Sequence, residues 1–121
     1  MTLQKIIYAF LFVLVSHAAF SQDSVSTKSI KDYYQKEVKV YGTVSGAKYL
    51  EQAGITLINI DGTYPDNALT VVIKGDDRKK FNPSPEIAYI NAKIMVTGTI
   101  TVYKDKPQIV VTDPKQIRVI P

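Results

Sequence analysis

Apolar and polar positions alternate along the chain in a few short runs, separated by turn-forming residues. Val38-Lys39-Val40-Tyr41-Gly42-Thr43-Val44 has the period of a half-buried strand. Residues 55–60 give a second strand, and residues 69–73, β-branched and apolar, a third. Residues 94–103 form a fourth and residues 108–111 a fifth, with Lys104-Asp105-Lys106 as the tight turn between them. Pro107 falls at a strand edge, where its missing N–H does little harm. Ile117-Arg118-Val119 is placed to add a last edge pairing. The second strand is ambiguous in facing. Ile55, Leu57 and Asn59 alternate against Thr56, Ile58 and Ile60, and both sets contain large apolar residues.

The connections carry their own signals. Ser29-Ile30-Lys31-Asp32 has the form of a helix N-terminus, with Ser29 as cap and Asp32 three residues on. It predicts a short N-terminal helical turn through Tyr34. Residues 45–54, with Gly46 and Gly54, read as a loop. Asp61-Gly62 and Pro65-Asp66-Asn67 supply turn chemistry. A charged stretch, residues 74–85, leads into Ser84-Pro85-Glu86, a cap followed by proline in the first turn of a short helix ending near Ile90. The order is strand, strand, strand, short helix, strand, strand. That order predicts an all-β protein with the OB-fold, a five-stranded Greek-key barrel whose helix between strands three and four plugs one end. A β-sandwich would want more strands.

A weak internal echo runs through the pattern. Residues 33–44 align without gaps to residues 89–100, each copy leading from a helical turn into a strand with glycine at the same place. Glycine weakens a strand interior unless the backbone bends sharply there or another group comes close, and small barrels need such bends to close. Gly42 and Gly98 are therefore expected at the bends of strands one and four.

The beginning of the chain has a different character. Lys5, the apolar run of residues 6–15 and the small-residue exit Ala19-Phe20-Ser21 are the parts of a secretory signal peptide. The run is shorter than the roughly 20 apolar residues a bilayer span needs. Cleavage is expected after Ser21, no lipoprotein cysteine follows, and no membrane span remains. The expected division is a signal peptide at 1–21, a flexible polar leader at 22–28 and the OB-fold domain at 29–121, exported to the periplasm or beyond.

Composition narrows the chemistry. The chain has no Cys, and its one His is His17, inside the expected signal peptide. Imidazole bases, nucleophilic triads with His and ordinary zinc sites are thereby excluded from the mature chain. No catalytic residues, metal or cofactor are expected. The formal charge of +4 falls to +3 on removal of Lys5, a sign that favours anionic partners without naming one. Asp76 and Asp77, beside Arg78-Lys79-Lys80, read as a solvated charged turn, and Asp61 and Asp66 as turn formers.

Thr56-Leu57-Ile58-Asn59-Ile60-Asp61-Gly62-Thr63-Tyr64-Pro65, Leu69-Thr70-Val71-Val72-Ile73 and Tyr103-Lys104-Asp105-Lys106-Pro107-Gln108-Ile109 resemble the OB-fold domains attached to secreted bacterial nucleases. So do Val96-Thr97-Gly98-Thr99-Ile100 and Asp113-Pro114-Lys115-Gln116-Ile117. The resemblance covers roughly residues 38–119. Lys36 and Ala92 stand where that family tends to have glycine, and Asp105 where its last hairpin does. The nuclease domain is absent, so the resemblance implies nucleic-acid binding rather than cleavage.

OB-folds hold single strands by stacking bases on aromatic side chains while lysines follow the phosphates. The expected surface lies on strands two and three, between the loop after strand one and the last hairpin. Its candidates are Lys48 and Tyr49 in the first loop, Asn59 on strand two and Tyr64 after it. Lys74 ends strand three, and Tyr103, Lys104, Lys106 and Gln108 form the hairpin. Single-stranded nucleic acid is the expected partner, with an envelope protein or an oligosaccharide as the alternative.

Overall fold

A computed structural model describes residues 24–121. The expected signal peptide, with Gln22 and Asp23 of the leader, lies outside the described residues. Eight strands form the structure: β1 (Ser24–Ser26), β2 (Glu37–Leu50), β3 (Ile55–Ile60), β4 (Leu69–Ile73), β5 (Lys93–Thr99), β6 (Thr101–Tyr103), β7 (Lys106–Val110) and β8 (Ile117–Val119). The pairing order is β6-β7-β4-β3-β2-β5-β8, with β1 joined to β2. All pairs are antiparallel except β1–β2 and β4–β7. β5 and β6 are consecutive lengths of chain with only Ile100 between them. The pairing path therefore returns on itself, from β2 through β5 and β6 to β7, β4, β3 and β2 again. This is the OB-fold order, with short helices between the third and fourth barrel strands.

One core fills the barrel. Val38, Val40, Ile94 and Val96 meet Ile58, Ile60, Leu69, Val71, Ile73 and Ile109 in a single cluster of buried side chains. The facing of β3 follows from it. Thr56, Ile58 and Ile60 point inward, while Ile55, Leu57 and Asn59 remain partly exposed. No helix among the described residues is long and apolar enough to cross a membrane.

Several expectations need correction. The residues read as a loop, 45–54, are mostly strand: β2 runs on to Leu50, with a register shift between Val44 and Gly46. Two-versus-one pairing of this kind bends a strand without ending it. β2 pairs with β5 as far as Thr43 and with β3 from Val44 onward. The Ser45 hydroxyl accepts from the Gly62 N–H at 2.8 Å and ties the bulge to the next turn. The fourth strand is broken at Ile100, which is fully buried. The plug helix spans only Pro85–Ala88, and a second one, Gly75–Arg78, precedes it.

Part of the expected leader is structured. Val25 is buried in β1 and Thr27 is buried after it. The turn that follows is a 3-10 helix, Thr27–Tyr33, and its cap is Ser26 rather than Ser29, accepting from the Lys28 N–H. Thr27 donates to Asp61 Oδ2 at 2.5 Å, while Thr43 N–H donates to Asp61 Oδ1 at 2.8 Å. Asp61 thus pins the N-terminal segment to the end of β3, beyond its role in a turn.

The two strand glycines are explained by close approach. A Cβ at Gly42 would overlap Ile60 Cγ2, and one at Gly98 would lie 2.5 Å from Ile109 Cγ2. Both side chains belong to the core, so neither can swing away cheaply.

Candidate nucleic-acid interface

Strand alternation sets what the outer surface of β2, β3, β4, β7 and β6 presents. Partners across a sheet share a face. The registers Gly46–Asn59, Asn59–Thr70, Thr70–Gln108 and Gln108–Thr101 make one polar row across it. The registers Lys48–Leu57, Leu57–Val72 and Val72–Val110 make an adjacent row, aliphatic apart from its lysine. Neighbouring strands lie about 4.8 Å apart, so the polar row extends well over 10 Å.

At one end the face rises into the β6–β7 hairpin. Its turn is two residues, Lys104 and Asp105, with φ of 49° and 64°. A type I′ hairpin needs positive φ at both central positions and usually takes Asn or Gly there. Aspartate is among the residues that tolerate the left-handed region. Tyr103 and Lys106 are direct cross-strand partners below the turn. Lys104 Nζ lies 5.4 Å from the centre of the Tyr103 ring, and Lys106 Nζ 5.1 Å from that of Tyr64. Lys106 also donates to the Pro65 carbonyl, which draws the 64–65 turn against the hairpin. Tyr64 is 71% exposed and Tyr103 60% exposed. Two rings and two ammonium groups thus share one rim, a π surface for bases beside cations for phosphates.

The structure brings Lys48, Asn59, Tyr64, Tyr103, Lys104, Lys106 and Gln108 onto this surface. Lys74 is exposed and extended just beyond β4, away from the hairpin. Tyr49 does not belong to the surface. It is the cross-strand partner of Thr56, which is fully buried, so it points to the opposite side from Lys48. Adjacent strand residues cannot share a face, and Lys48 and Tyr49 lie in strand rather than in a loop.

Tyr49 has another occupation. The Arg78 guanidinium covers its ring at 3.8 Å. Arg78 also pairs with Glu86 and donates from Nε to Thr56 Oγ1 at 3.2 Å, and Thr56 donates to Glu86 Oε2 at 3.2 Å. This closed group joins both short helices to β2 and β3 at one end of the barrel. Burial pushes the Glu86 carboxyl up, but hydrogen bonds from Arg78, its own backbone and Thr56, with the Arg78 charge, hold it below the usual value. No local motif announced the group, because its members are far apart in sequence. Thr70 was also missed; its hydroxyl accepts from Asn67 Nδ2 at 2.8 Å, and only register places it between Asn59 and Gln108. Asp76 and Asp77 pair with Lys79 and Lys80 one helical turn on.

No protein-family model matches the sequence, and no curated protein matches it. Among solved structures, the chain is similar to one described as an aspartyl-tRNA synthetase from Leishmania major Friedlin, with a TM-score of 0.58 at 12% identity. The match covers 82% of this chain and 21% of that one, so this chain corresponds to a small part of the larger protein. At that identity the likeness is one of fold, and it agrees with the strand order: the domain is an OB-fold.

Proposed function

We propose that this protein is an exported, non-enzymatic module that binds single-stranded nucleic acid across the outer face of β2, β3, β4, β7 and β6. The observation that carries the reading is the hairpin rim, where Tyr64, Lys106, Tyr103 and Lys104 stand together at the edge of the polar row Asn59–Thr70–Gln108. Bases stack on the rings, the lysines meet phosphates, and the amides and hydroxyl of the row reach base edges. The likeness to part of a tRNA synthetase fold supports it at the level of architecture. Export rests on Lys5, the apolar run and the Ala19-Phe20-Ser21 exit.

One observation favours a second reading. Leu57 and Val110, partly exposed on either side of the buried Val72, give the neighbouring row no π surface, and an envelope protein would cover them better than a base would. Salt separates the two. Phosphate contacts give an affinity that falls steeply with salt, whereas an apolar contact does not weaken in this way. Titration against labelled single-stranded DNA and RNA at two salt concentrations tests the proposal. Salt-sensitive binding is expected, and no binding at low salt would overturn it.

A further inference from the structure

We propose that the opposite side of the barrel carries a second single-strand-binding face, centred on Tyr41, so that one domain holds two stretches of nucleic acid at once. The inference rests on the reading above and extends it to a surface with different residues. The registers Ser26–Tyr41, Tyr41–Met95 and Met95–Arg118 place these residues in one row across β1, β2, β5 and β8. Their neighbours in sequence, Val40, Ile94, Val96 and Ile117, are buried, so the row faces outward. Lys39 lies two residues before Tyr41 on the same face, and the next row pairs Thr43 with Lys93. Tyr41 is thus flanked by Lys39, Lys93 and Arg118, with the Met95 thioether beside it.

A shallow hollow adjoins the ring. Ser26, Thr27, Lys28, Tyr41, Thr43, Lys93 and Asp61 line it with Gly42, so the Ser26 and Thr43 hydroxyls and two ammonium groups surround the place where a phosphate would sit. Asp61 is the one acidic lining residue, and both of its carboxylate oxygens already accept hydrogen bonds, from Thr27 and Thr43. Glu37 lies on the same face at the start of β2, two residues before Lys39. Like the hairpin rim it sets cations beside a tyrosine, here a single, partly exposed ring with hydroxyl groups near it. Both faces are backed by the same core. One is built on β1, β2, β5 and β8, the other on β2, β3, β4, β7 and β6.

The test uses two single-stranded oligonucleotides, one with a donor and one with an acceptor fluorophore, mixed with the protein at low salt. Energy transfer is expected with the wild type. It is expected to be lost in Lys39→Gln/Lys93→Gln and, independently, in Lys104→Ala/Lys106→Ala, while each variant still binds a single oligonucleotide. Tyr41→Phe should keep transfer and Tyr41→Ser should lose it, with unchanged melting temperatures showing that the fold persists. Wild-type binding without transfer would overturn the second face and leave the first intact. So would transfer that survives Lys39→Gln/Lys93→Gln, as it would if the protein dimerised with one strand on each copy. Failure of the wild type to bind either oligonucleotide would overturn both readings.

Discussion

Val40 and Val96 face each other across the β2–β5 ladder, and each holds the same place in its own copy of the internal echo. A local two-fold axis therefore runs between them. Gly42 pairs with Ile94 as Gly98 pairs with Val38. Val44 N–H donates to the Ala92 carbonyl at 2.8 Å as Ile100 N–H donates to that of Lys36 at 3.1 Å. Gln35 and Asn91, at equivalent places, both have positive φ. The symmetry extends to the cause of each glycine, since a core isoleucine presses on both.

Gly98→Val should consequently destabilise the domain by about 1 kcal/mol or more, because the core cannot accommodate the added atoms without strain. Gly98→Ala combined with Ile109→Ala should cost less than the sum of the two single changes, since the second removes the methyl that obstructs the first. Chemical denaturation of the four proteins measures this. Strict additivity would show that Ile109 is not what excludes a side chain at Gly98.

Tyr49→Ala and Tyr103→Ala should have opposite profiles. Loss of Tyr49 removes the ring under Arg78, a contact worth about 0.5–2 kcal/mol, and should lower the melting temperature while leaving nucleic-acid affinity unchanged. Loss of Tyr103 should cost roughly 1–3 kcal/mol of binding if a base stacks on it, with little change in melting. Measuring both quantities for both variants decides the matter. A Tyr49→Ala protein that melts normally but binds weakly would return Tyr49 to the interface.

Glu86 gives a pH signature. Its folded carboxyl sits below the ordinary value, so the unfolded chain takes up its proton first as pH falls. The stability it contributes is fully present above about pH 4.5, the usual carboxyl value, and is lost as pH drops through the lower folded value. Glu86→Gln should melt lower than the wild type at neutral pH, with the gap closing in acid. Melting curves from pH 7 to pH 3 check it, and a gap that stays constant would contradict the assignment.

Lys104 and Lys106 should act through phosphates. Replacing both with alanine is expected to weaken binding to all sequences about equally. It should also flatten the slope of log affinity against log salt by about 1.4, taking roughly 0.7 per phosphate contact on a single strand. Titrations of wild type and variant at several salt concentrations give the slopes. A sequence-selective loss would instead place the lysines on base edges.

The barrel was legible because Val38, Val40, Val44, Ile94 and Val96 keep a period of two and the proline-capped helix falls in the fourth place. The extent of β2 was not, because Gly46 and Gly54 imitate a loop and the bulge at Ser45 shifts the alternation. The facing of β3 could not be read either: Ile55 and Leu57 lie on the outer face, and only its pairing with β2 and β4 resolves which set is inside. The hairpin rim was visible as a local run of Tyr, Lys and Gln. The Arg78–Glu86–Thr56–Tyr49 group depends on tertiary closure. So does the segment at Ser24, whose parallel seat on β2 leaves no mark in three polar-flanked residues.

β2 is held by β5 and β1 in its first half and by β3 from Val44 onward, so it belongs to both halves of the barrel. It cannot be released piecemeal. Its amides between Val38 and Val44 should exchange with solvent hydrogen only through global unfolding, as do those of core elements generally. The tip of the β6–β7 hairpin has no such double restraint: beyond Gln108 the register with β4 has ended, and Tyr103 and Lys106 have only each other across the ladder. Its amides should exchange through smaller openings. The hairpin would thus present its aromatic ring and ammonium groups from a less restrained tip, able to adjust to successive nucleotides while the barrel beneath it stays closed.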